Sequence, residues 1–170
     1  MKIKSSFLVL FLICLSFWGF TQNVQRVISL TPSITENIYL LDAEDKLVGC
    51  TNYCELAVSD GKEIIGSTID INIEKILALK PDLVLTMELT KPQDVEAIKK
   101  LGINIVVYKS PKSFDEICEQ TIQISKLIGT EDNGLRVINE AKRKVSSLKE
   151  KMITLESRKM FFQIGANPTF

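Results

Sequence analysis

The 170 residues include no histidine. That absence removes the Ser-His-Asp and Cys-His nucleophile systems, and with them the commonest side-chain ligand for zinc and manganese. Net charge is missing too, because 21 Lys and Arg balance 21 Asp and Glu. With no basic patch interleaved with aromatics, a nucleic-acid surface is excluded. No short-period repeat and no low-complexity tract is present. What remains is 45% hydrophobic and 25% charged, a globular composition and not a disordered one.

Part of that hydrophobicity sits at the start. Lys2 and Lys4 precede an apolar run from Phe7 to Phe20, followed by the polar Thr21-Gln22. The run is short for a membrane span and has the layout of a secretory signal peptide over residues 1–21. Gly19 and Thr21 suit the small positions flanking a cleavage site near Thr21. Cys14 offers a lipoprotein alternative, but the bulky Ile13 stands where a lipobox has a small residue. The expected location is therefore periplasmic or otherwise extracytoplasmic.

Export permits disulfides, yet Cys50, Cys54 and Cys118 make an odd set. In an extended chain Cys50 and Cys54 would lie about 13 Å apart, beyond the roughly 7 Å that a bridge tolerates. They could pair only across a turn. The plainer reading is three small, partly buried side chains.

Along the rest of the chain, short β-branched runs alternate with helical patterns. Strands are predicted at Arg26–Leu30, Leu47–Thr51, Leu83–Thr86 and Ile103–Tyr108. Ser33 and Glu36 read as a capping box for a helix whose inner face carries Ile34, Ile38 and Leu41. Asn72 caps a short helix stopped at Pro81, and Pro92–Leu101 ends at Gly102. Ser113 opens a helix that closes at Gly129. Ile64 to Thr68 reads as a connector. This alternation implies a mostly parallel sheet with helices on its faces. A strand running into a capped helix leaves free N–H groups at the strand's carboxyl end, a usual ligand position in such sheets.

A long helical pattern follows from Glu131 to Glu156, with Leu135, Ile138, Ala141, Val145, Leu148, Met152 and Leu155 on one stripe. Thr130 is the expected N-cap. About 25 residues at 1.5 Å each make a rod roughly 38 Å long, more than one small lobe requires. Lys159 to Ile164 then reads as a fifth strand, and Gly165 to Phe170 as the start of a further loop.

The runs RVISLTPSITENIYLL, LVGCTNYC and NIEKILALKPDLVL, in this order and spacing, resemble the periplasmic iron-siderophore and vitamin B12-binding proteins, and FFQIGANPTF resembles the start of their second lobe. Those proteins are the solute-binding subunits of ABC importers. The resemblance implies an α/β fold in which residues 22–129 form an N-terminal ligand-binding lobe. Residues 130–157 would then form the long inter-lobe helix, and 158–170 the beginning of a truncated C-terminal lobe. It further implies a monomer that performs no catalysis and uses no cofactor or resident metal. Such a protein captures a metal-bearing organic ligand, a corrinoid such as cobalamin, a ferric siderophore or haem, and delivers it to an ABC permease in the inner membrane. Tyr53 matches a tyrosine that lines the corrinoid cleft in the vitamin B12-binding members. Ile69 and Met87 fall where those members carry tryptophans, which makes this stacking surface poorer. Pro32 and Ser33 are further ligand-binding candidates at the strand end. Glu74 matches an acidic residue that docks onto permease arginines. The competing expectation is an exported α/β thiol oxidoreductase acting through Cys50 and Cys54, which lack the CxxC spacing of redox motifs.

Overall fold

A computed structural model describes residues 24–156 and 158–161. The expected signal peptide and Cys14, the second half of the expected fifth strand and the loop expected after it lie outside the described residues. Five strands, β1 (Val27–Ser29), β2 (Leu47–Cys50), β3 (Glu63–Ile64), β4 (Leu83–Met87) and β5 (Ile105–Tyr108), form one sheet in the order β3-β2-β1-β4-β5. Every pairing is parallel, with Val27 beside Leu83, Val84 beside Ile105 and Cys50 beside Ile64. Six helices connect and cover it: α1 (Pro32–Leu40), α2 (Glu55–Ser59), α3 (Ile73–Leu79), α4 (Pro92–Lys100), α5 (Phe114–Ile128) and α6 (Glu131–Met152). The α/β lobe with a parallel sheet followed by a long helix is as the sequence implies.

Alternation along each strand splits the core in two. Val27, Leu83 and Leu85 face Ile34 and Ile38 of α1, Ala57 of α2 and Ile124 and Ile128 of α5. Ile28, Val84 and Ile105 face Ile76 of α3 and Val95 and Ile98 of α4. Strands buried on both faces read as continuous apolar runs, which is why VISL and LVLTM carry no polar alternation.

Several local expectations hold. The Asn72 side chain accepts from Lys75 N at 2.9 Å, and Ser113 Oγ accepts from Glu116 N at 3.2 Å. Others are corrected. The N-cap of α1 is Thr31, not Ser33, and its side chain makes no capping bond. Proline has no N–H and a helix-ready φ, so Pro32 occupies the first helical position and carries Ser33 inside the helix. Thr130 stands at the α6 N-cap but its hydroxyl makes no capping bond either. The stretch after Cys54 is a helix, α2, and Glu63–Ile64 is an edge strand, where a loop and a connector were expected.

The long helix ends at Met152, about 33 Å from its start at 1.5 Å per residue. β-branched Ile153 and Thr154, poor helix formers, follow as a turn. Its buried line runs through Gly134 and Ile138, whereas Leu135 of the expected stripe is 55% exposed. The helix packs along α5, and its first turns are pinned to the end of α1: Asn133 Nδ2 donates to the Leu41 carbonyl at 2.9 Å, and Arg136 pairs with Asp42 at 2.6 Å. Past Val145 its apolar residues face outward, with Leu148, Met152 and the following Ile153 all exposed. The following Met160 and Phe161 are exposed coil.

Candidate functional site

Because the order is β3-β2-β1-β4-β5, connections leave β1 and β4 in opposite directions, and the carboxyl ends of these two strands flank the topological switch point of the sheet. The loops on this edge hold most of the predicted residues. Tyr53 stands at the tip of the β2–α2 turn and is 61% exposed; Ile69, on the loop after β3, is 67% exposed. These two loops are tied together, since Asn52 N donates to the Gly66 carbonyl at 2.9 Å. Gly66 has φ +128, and a Cβ there would run into the Asp70 carbonyl, so the hairpin-like loop that displays Ile69 requires glycine. Pro32 and Tyr53 meet around a depression of about 480 Å³, with Thr35, Glu36, Cys54 and Glu55 also in its lining.

The other candidates fare differently. Ser33 is exposed on the first turn of α1 and outside the lining of that depression. Met87 ends β4 pointing inward, 6% exposed in the core and 3.9 Å from Gln120 Nε2. Two residues further, Leu89 is 71% exposed at the same edge. Leu89 was not singled out, although a leucine in a strand-to-helix loop bounded by Glu88 and Thr90 is the signal that could have found it. Glu74 lies in the first turn of α3, exposed and without an ion-pair partner among the described residues, while its neighbour Lys75 pairs with Glu63 at 2.8 Å.

Beneath the rim is a buried hydroxyl and thiol cluster. Thr35 Oγ1 lies 2.8 Å from Ser29 Oγ, 3.1 Å from Cys54 Sγ and 3.2 Å from the Thr31 carbonyl. One hydroxyl proton serves three acceptors, so this donor is shared. Thr51 Oγ1 approaches Cys54 Sγ at 3.3 Å. The neighbouring Cys50 thiol, with the Thr35 and Thr51 hydroxyls, draws Cys54 down to about 6 against the upward push of burial. Cys50 is correspondingly pushed up. Thr86 and Thr90 share a hydrogen bond at 2.5 Å below the β4–α4 loop, and the Thr31 and Tyr108 hydroxyls are buried without a partner. Burial also pushes the Tyr108 phenol up to about 12. Among the described residues no cluster of three or more Cys, Asp or Glu could hold a metal.

An apolar-tipped rim on the carboxyl edge of a parallel sheet, at its switch point, is a usual place for a ligand in such folds. The sequence model described as "Periplasmic binding protein" matches residues 27–169. The chain belongs to the periplasmic binding protein family. A vitamin B12-binding protein of Yersinia pestis (strain Pestoides F) is 32% identical over 151 residues, covering 88% of this chain and 54% of the relative. The vitamin B12-binding protein of Vibrio cholerae superposes with a TM-score of 0.66 at 28% identity, over 78% of this chain and 52% of that one. A possible iron-binding periplasmic protein of Staphylococcus epidermidis gives 0.73 at 26% identity, over 81% and 55%. A periplasmic heme-binding protein of Pseudomonas aeruginosa, at 17% identity and a TM-score of 0.71, shares the fold. The chain spans about half the length of the curated relatives that it matches.

Proposed function

We propose that this chain supplies one wall of the ligand cleft of an exported solute-binding protein for an ABC importer, and that the ligand is a corrinoid. The observation that carries the reading is the rim itself: Tyr53, Ile69 and Leu89 project large apolar surface from three loops on one sheet edge. A flat face with a polar tip, such as Tyr53, suits a macrocycle bearing polar substituents. The depression beside Tyr53 is bordered by Glu36 and Glu55 and by no cationic side chain. Carboxylates accept from amide N–H groups, which ring a corrinoid, and repel the carboxylates of haem and of many ferric siderophores. Residues 22–129 form the lobe on this reading, 130–157 the connecting helix, and 158 onward the entry to a second wall. Glu74 would meet an arginine of the permease, and residues 1–21 would be removed on export.

Titration of the chain with cobalamin, dicyanocobinamide, haemin and a ferric siderophore, followed by ligand absorbance, tests this proposal. One wall predicts binding weaker than micromolar, with the corrinoids ahead of haemin and Tyr53→Ala abolishing the difference. Sub-micromolar binding would refute the one-wall reading, and haemin ahead of cobinamide would refute the corrinoid assignment. The solute-binding proteins found by comparison offer nothing to the thiol-oxidoreductase alternative.

A further inference from the structure

The turn that the sequence requires for Cys50 and Cys54 to meet is present. Cys50 is the last residue of β2 and Cys54 the N-cap of α2. Between them Asn52 and Tyr53 form a turn closed by Cys54 N donating to the Thr51 carbonyl at 3.1 Å. Both side chains are buried, 0% and 1% exposed, and both enter the same core cluster on one side of the sheet. The turn thus returns the chain so that both cysteines pack into one cluster, and Cys54 additionally borders the depression beneath Tyr53. Cys118 is buried at a different place, on the α5 face toward α6.

We propose that Cys50 and Cys54 are a disulfide-forming pair whose closure staples the turn that carries Tyr53 to the end of the sheet. The chemistry is thiol–disulfide exchange with a small or protein disulfide as oxidant. Cys54, the sulfur that its neighbours stabilise as thiolate, attacks that disulfide and expels one thiolate. The Cys50 sulfur then releases its proton to solvent and displaces the second, so two cysteines lose two electrons and the oxidant becomes two thiols. Closure fixes a five-residue ring, and the Asn52–Tyr53 tip lies within it. Tyr53 is then held against the Pro32 side of the depression before any ligand arrives, which lowers the ordering cost of binding.

The bridge in the cell rests on the export reading, because an oxidising compartment supplies the oxidant; the pairing chemistry does not. The full chain is equilibrated with glutathione disulfide, both folded and during refolding from urea with reductant removed, so that burial cannot block the exchange. After acid quenching, denaturation, alkylation with iodoacetamide and trypsin, Cys50 and Cys54 share one peptide, Leu47–Lys62, without another cysteine. That peptide is expected two hydrogens lighter and unalkylated, while the Cys118 peptide is alkylated. Cys54→Ser should leave Cys50 fully alkylated. Amide exchange at Asn52 and Tyr53 should slow several-fold on closure. Full alkylation of both cysteines in both arms, or glutathione adducts without an internal bridge, would overturn the pair. Unchanged exchange would overturn the staple. A bridge that closes with glutathione, yet is found reduced when thiols are trapped in cells, counts against export and upholds the pair.

Discussion

At Gly134 the long helix closes directly on α5. A Cβ built at Gly134 would lie 2.7 Å from Ser125 Cβ and closer still to Ser125 Oγ. Ser125 is 0% exposed, and its hydroxyl donates to the Ile122 carbonyl at 2.9 Å. The hydroxyl could rotate away, but Cβ moves only with the α5 backbone. Gly134→Ala therefore sets two effects against each other. Helix propensity favours alanine by about 1 kcal/mol. Overpacking a closed contact costs about 1–3 kcal/mol, and the upper part of that range applies where backbone must shift. The net expectation is destabilisation by about 1–2 kcal/mol, read in urea as a midpoint lowered by roughly half to one molar. Ser125→Gly removes both offending atoms at about 1 kcal/mol of its own. The double variant should then be less destabilised than the sum of the singles, with a coupling of about 1–2 kcal/mol. If Gly134→Ala raises the midpoint, as propensity alone predicts, α6 is not seated on α5 and the reasoning fails.

Three further expectations follow from the polar contacts. Lys46 Nζ donates to the carbonyls of Val24 at 3.1 Å and Ile128 at 2.6 Å; Lys46→Met should lose about 2–3 kcal/mol, because charge-assisted bonds to two carbonyls vanish and leave acceptors stranded, and thermal unfolding would show it. Asn72→Ala deletes the bond to Lys75 N and should cost about 1 kcal/mol, measured by urea unfolding. In the reduced chain Cys54 should ionise near 6, so thiolate absorbance should rise between pH 5 and 7, and Cys50→Ala should move that rise upward by removing the largest stabilising donor. A depressed acid favours folding above its unfolded value, so stability from Cys54 is full above about 9 and lost as pH falls through 6; Cys50, shifted the other way, opposes folding only above 9. A pH-independent urea midpoint from 5 to 8 in reductant would contradict this coupling.

The elements that announce themselves locally were legible. Asn72 and Ser113 cap their helices with the bonds that the sequence implies, because capping is settled within three residues. The apolar runs at VISL and LVLTM are buried because β1 and β4, at the centre of the sheet, are covered on both faces. Ser33 was the expected cap of α1, but the proline before it decides for Thr31, through a backbone constraint that outranks side-chain propensity. Glu63–Ile64 could not be read, since two residues become a strand only by pairing with Gly49 and Cys50. The same limit governs the site. Tyr53, Ile69 and Met87 were all marked by resemblance; Tyr53 and Ile69 are exposed at the edge while Met87 is in the core with Leu89 exposed two residues on, because the sequence does not show where β4 ends and the chain leaves the sheet.

The long helix gains its meaning from the mismatch between its sequence and its surroundings. Its buried residues, Gly134 and Ile138, lie within the first two to three turns, where α5 and the end of α1 hold it. Ala141 and Val145 continue that line half-buried, and then the lobe ends while apolar side chains continue: Leu148, Met152, Ile153, Leu155, Met160 and Phe161 are all exposed. Leu148 and Met152 close the helix and the others follow it, and exposed apolar side chains gathered in this way mark a place that another surface covers. Lys142, Arg143, Lys144, Lys149 and Lys151 mark this as an amphipathic rod with one side solvated along its length. The first half of its apolar side is consumed by the lobe that is here. On the proposed reading, the second half is the surface that the other wall of the cleft would cover.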